Sequence, residues 1–143
     1  MILSIPWLII AIVVYNMVAL TSSWPAAGSG LPNVFDQPIM SFDLISGAKW
    51  ALTTGDLITI LTLVLLFIEL IKATRTGGSS IVDHALSMVL FMFCLVEFLT
   101  VRQAGTSEFF FILVVTLIDV VAGFSITIRG ARRDFGLGTA GGD

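Results

Sequence analysis

Few side chains in this sequence can do chemistry. Among 143 residues there is one histidine, His84, and one cysteine, Cys94. A single cysteine excludes an internal disulfide and a CxxC metal site. A single histidine leaves too few ligands for an all-protein zinc or di-iron site within one copy. One cofactor role is open to His84, as an axial ligand to haem or chlorophyll shared between two copies. The bland expectation, an interfacial residue in the first turn of a span, outweighs it. Asp83, His84 and Ser87 supply the residue types of a hydrolytic triad. Neighbours on a helix point about 100° apart, so Asp83 cannot buttress the ring of His84. The sequence therefore reads as a non-enzyme, with no metal site.

The acids fall into two groups. Asp56, Asp83 and Glu108 stand at expected helix starts, where a carboxylate meets the positive end of the helix dipole. Glu69, Glu97 and Asp119 lie inside apolar runs. Glu69 precedes Lys72 by one helical turn, which is an ion-pair spacing near the headgroups. Glu97 is close enough to the end of its run to snorkel, although Arg102 is poorly phased to meet it. Asp119 is deep, with no basic residue within two turns. An ionisable group there costs at least about 2.5–3.5 kcal/mol on insertion scales.

Around Asp119 lie Thr116 and Gly123, with Thr127 one turn further on. Ser87, Cys94 and Glu97 form a similar stripe on the preceding run. Thr62 is expected near the depth of Asp119, and Asn16 shallower. Such stripes are either interhelical glue or part of a proton or cation site. Glue is the preferred reading. A pathway needs several polar groups at successive depths, and only one acid looks deep.

The elements that must position these residues are membrane spans. Apolar residues make up 57% of the chain and charged residues 12%, where soluble domains run at about 25% charged. Mean hydropathy is +1.03. Four apolar runs, about 2–20, 54–73, 81–101 and 107–128, are each long enough to cross about 30 Å of hydrocarbon. No positive charge precedes the first run, and it exceeds a usual signal-peptide core, so it reads as a permanent span. Thr53 with Asp56, and Ser80 with Asp83, have capping-box spacing. Short turns make neighbouring helices antiparallel. The expected fold is an all-α, antiparallel four-helix membrane bundle, in one domain covering residues 1–143. The second span is expected to be the most lipid-exposed, because its centre is bulky and lacks small residues.

Lys72, Arg75, Arg129, Arg132 and Arg133 fall on one side of four spans, and Lys49 and Arg102 on the other. That asymmetry predicts a multi-pass protein of the cell (inner) membrane with both termini cytoplasmic. The scattered charge gives no nucleic-acid surface. Arg129, Arg132 and Arg133 are expected to meet anionic headgroups, ahead of a Gly-rich tail reaching residue 143. The long outer connection, 21–52, is too apolar for water, and its segment Pro38–Trp50 is expected to lie on the membrane surface or against a partner. Phe35, Ile39, Met40 and Phe42 there, and Phe135 and Leu137 in the tail, are the expected partner contacts.

Four short spans leave little room for an enclosed site. The expected function is therefore association: a non-catalytic accessory subunit of a larger membrane complex, or a homo-oligomer. The alternative is a small oligomeric transporter or channel with Asp119 as coupling group. A weaker one is a pigment- or haem-associated subunit using His84.

Overall fold

The computed structural model of the chain describes residues 5–22, 33–74 and 80–138. Among them are four α-helices and one two-stranded hairpin. In chain order these are α1 (Ile9–Thr21), β1 (Pro38–Asp43), β2 (Lys49–Thr53), α2 (Thr54–Ala73), α3 (Ser80–Thr100) and α4 (Ser107–Gly138). Three helices, α2, α3 and α4, are long and apolar enough to cross a membrane; α1 is apolar but shorter.

The sequence dictates most helix starts. Thr53 accepts from the Asp56 backbone N–H at 3.1 Å, and Asp56 Oδ2 accepts from the Thr53 N–H at 2.9 Å. This capping box satisfies two donors that the first turn of α2 would otherwise leave orphaned. Thr106 caps α4 by accepting from the Phe109 N–H at 3.2 Å. Position 80 begins α3, and the expected Ser80 cap lies outside the described side chains.

Helix α4 is the hub, touching α1, α2 and α3. Its inward face runs through Phe109, Ile112, Thr116, Asp119 and Gly123, spaced by three and four residues as one helical stripe requires. From α1 come Leu8, Ile12, Tyr15 and Ala19, and from α2 Ile58, Thr62, Leu65 and Glu69. The outward faces carry large exposed apolar side chains, among them Leu63, Phe67, Val89, Leu99 and Val121. Water would penalise such a coat by roughly 25 cal/mol per Å²; lipid does not.

Several expectations change. The chain is mostly helical rather than all-α, because Pro38–Thr53 folds into an antiparallel hairpin. Period-two stretches of this length were too short to stand out against the helical pattern. The turn between its strands depends on Gly47, whose φ of +82° is in the left-handed region. The first apolar run is helical only from Ile9. At about 1.5 Å per residue α1 spans roughly 20 Å, short of about 30 Å of hydrocarbon. Ile5–Leu8 instead forms a turn, with the Ile9 N–H donating to the Pro6 carbonyl.

Helix α4 outlasts its apolar run and continues to Gly138, so the segment read as a loose tail is helical to that point. Of the three long helices, α3 is buried over 28% of its apolar window and α2 over 33%. The two differ by a single residue, so α2 does not stand apart as the most exposed span and α3 is exposed to a similar extent. The cause is its packing: it lies on α4, while its α1 side borders an open groove.

Candidate functional site: a polar seam and an open groove

The polar residues of the spans turn inward. Thr62, Glu69, His84, Ser87, Glu97, Thr116 and Asp119 are all buried, with Glu97 the most accessible at 9%. They lie on the faces where α2, α3 and α4 meet. Thr62 and Thr116 satisfy their hydroxyls within their own helices, donating to the Ile58 carbonyl at 2.7 Å and the Leu113 carbonyl at 2.8 Å.

Between α3 and α4 the stripes mesh. Ser87 is the side-chain hydrogen-bond partner of Asp119, and Cys94 is paired in the same way with Thr116. One turn further along, the ring of His84 lies on Gly123. A Cβ at that glycine would meet His84 Cε1 at 2.7 Å. The other side of the ring faces Phe124, with centroids 5.7 Å apart. His84 is 6% exposed and held by its own chain.

Glu69 and Lys72 form an ion pair at 2.7 Å, with side chains 3% and 13% exposed. The expected ion pair one helical turn apart is thus present, with Glu69 buried and Lys72 half-buried. Its second task was not legible in the sequence. Glu69 accepts the Trp7 backbone N–H, and Lys72 Nζ donates to the Ile5 carbonyl at 3.3 Å. Helix α1 has no side-chain cap of its own, so a carboxylate from α2 serves its N-terminus.

Glu97 also turns inward rather than snorkelling. Its Oε2 has no hydrogen-bond partner among the described residues.

The opposite end of the bundle holds a residue that the sequence reading passed over. Tyr15 is fully buried. Its hydroxyl donates to the Gln103 carbonyl at 2.7 Å and lies 2.7 Å from Thr106 Oγ1. Its ring stacks on Phe35 at 4.6 Å and meets Phe109 edge-on at 4.9 Å. The available signal was that this is the chain's single tyrosine, alone in an apolar run. Phe35 was expected to face a partner; it is fully buried in the chain's own core, because the turn at Val34–Asp36 folds it onto Tyr15. Ile39, Met40 and Phe42 are exposed on the hairpin. The side chains of Thr127, Arg129, Arg132, Arg133, Phe135 and Leu137 lie outside the described residues.

Between α1 and α3 the bundle is open. A groove of about 630 Å³ runs there, walled by apolar residues such as Ile9, Val13, Met17, Leu86 and Phe93. Asn16 is the polar side chain in its lining. Among the described residues its amide has no hydrogen-bond partner. Thus Glu69, Glu97, Asp119, Thr62, Ser87 and Thr116 are sequestered in the seam, while the Asn16 amide lines an apolar trough.

No protein-family model, curated protein or solved structure matches this chain.

Proposed function

We propose that the protein is an integral membrane protein that acts non-catalytically, by associating with a second copy of itself through the α1–α3 groove. The observation that carries this reading is Asn16. An amide in hydrocarbon needs a partner, since lipid tails offer none, and interhelical hydrogen bonds there contribute on the order of 1 kcal/mol. An amide both donates and accepts. Two Asn16 side chains can therefore satisfy each other across a two-fold axis, the commonest oligomer symmetry. The apolar walls of the groove would receive the partner's α1. In this reading α1, with Ile5–Leu8, is the fourth span. The asymmetry of the basic residues supports a cytoplasmic position for both termini at the cell membrane.

The test is sizing in mild detergent. The intact chain should run as a defined homo-oligomer, and Asn16→Leu should shift it toward monomer. Co-purification with a different membrane protein, with no self-association, would assign the groove to a hetero-complex and overturn the homo-oligomer.

A second reading has one observation in its favour. Glu69, Asp119 and Glu97 all turn into the seam, at different depths along it, and one oxygen of Glu97 is unpaired. Three acids turned into the bundle, rather than one, support proton or cation coupling. Asp119→Asn keeps size and hydrogen bonding but cannot titrate. If Asp119 couples ions, assembly survives and flux in proteoliposomes disappears. Absence of flux in the unsubstituted protein would leave association alone.

A further inference from the structure

The hairpin of β1 and β2 is two-faced. Met40 pairs with Leu52 and Phe42 with Trp50, while Ser41 pairs with Ala51 and Asp43 with Lys49. Alternation along a strand puts the first two pairs on one face and the last two on the other. One face is thus apolar, with Phe42 stacked on Trp50 at 5.8 Å. The other carries the Asp43–Lys49 pair at 4.0 Å. Leu44 and Ile45 form the tip, and Ile45 is fully exposed. Among the described residues no helix covers the apolar face: Met40, Phe42 and Trp50 are 53%, 42% and 48% exposed. A lone two-stranded hairpin is marginal in water.

Its position in the chain says what covers it. Thr53 is both the last residue of β2 and the N-cap of α2. No linker separates hairpin from span, so the hairpin begins where the hydrocarbon ends. The first turns of α2 that follow it also carry exposed apolar side chains, Leu57 and Ile60. Aromatic side chains are favoured at this depth.

We propose that the hairpin is an interfacial anchor, lying with Met40, Phe42, Trp50 and Leu52 on the lipid of the adjoining leaflet and dipping Leu44 and Ile45 into it. This rests on the membrane reading of α2. The Asp43–Lys49 face is left toward water.

The test uses the full chain with Trp7→Phe and Trp24→Phe, so that Trp50 alone fluoresces. It is reconstituted into phosphatidylcholine vesicles brominated high on the acyl chain. Flotation after an alkaline wash first checks that the chain is membrane-integral. A chain that fails to float overturns the membrane reading itself. For the floating chain, Trp50 should be quenched by the bromolipid and spared by aqueous acrylamide, and Phe42→Asp should reverse both. Quenching by acrylamide alone would overturn the anchor. Protection from both quenchers would also overturn it, by placing protein over the face.

Discussion

The hydroxyls of Tyr15 on α1 and Thr106 at the start of α4 lie 2.7 Å apart. This contact ties the shortest helix to the hub of the bundle. Tyr15→Phe would keep the stacking on Phe35 and Phe109 and remove only the hydroxyl. The expected loss is about 1 kcal/mol, the usual net worth of a hydrogen bond. Tyr15→Ala would also empty the aromatic cluster and should cost about 3–5 kcal/mol. Reversible unfolding in mixed micelles reads both. Equal losses for the two variants would show that the ring contributes little.

Gly123 and His84 interlock in the same sense. A methyl at position 123 meets the imidazole ring, not a flexible side-chain end. Gly123→Ala should therefore destabilise the α3–α4 pair by about 1–3 kcal/mol, as overpacking does. His84→Ala in the same chain should recover part of that loss, because the methyl then fills the vacated space. If Gly123→Ala is neutral alone, close approach is not what the glycine provides.

The Glu69–Lys72 pair is expected to hold the start of α1. Glu69→Leu leaves half-buried Lys72 without its counter-charge, a change expected to cost less than the roughly 3–5 kcal/mol of a fully buried pair. The loss should be visible locally. Hydrogen exchange at Trp7 and in the first turn of α1 should rise, while the centre of α4 stays protected. Uniform loss of protection would instead mean that the pair stabilises the whole bundle. No protection change at Trp7 would remove it as a cap.

These three contacts show how legibility divides. Span-forming runs, the capping box of Thr53 and Asp56, and the stripe through Thr116, Asp119 and Gly123 depend on local spacing, which a sequence displays. Helix α1 was over-read, because an apolar run marks where lipid is tolerated, not where helical hydrogen bonds begin. The cap that Glu69 gives to Trp7 joins residues far apart in sequence, and no periodicity encodes it. Phe35 was misplaced for the same reason: exposure depends on what folds over a side chain, and its cover, Tyr15, comes from another element. The hairpin was hidden because its strands are short, and its apolar residues read equally well as a surface loop.

The central claim is that two copies meet through Asn16, and proximity in native membranes tests it most directly. Cys94→Ser removes the chain's single cysteine, so Asn16→Cys then supplies the sole thiol. Oxidation of such membranes should give a disulfide-linked dimer, because residues that meet across a two-fold axis can approach to the Cβ separation of about 4 Å that a disulfide needs. A thiol moved to Leu63, on the exposed face of α2, should not cross-link. Cross-linking at Leu63 with none at position 16 would contradict the account, and a chain that stays monomeric at both positions would contradict it as well.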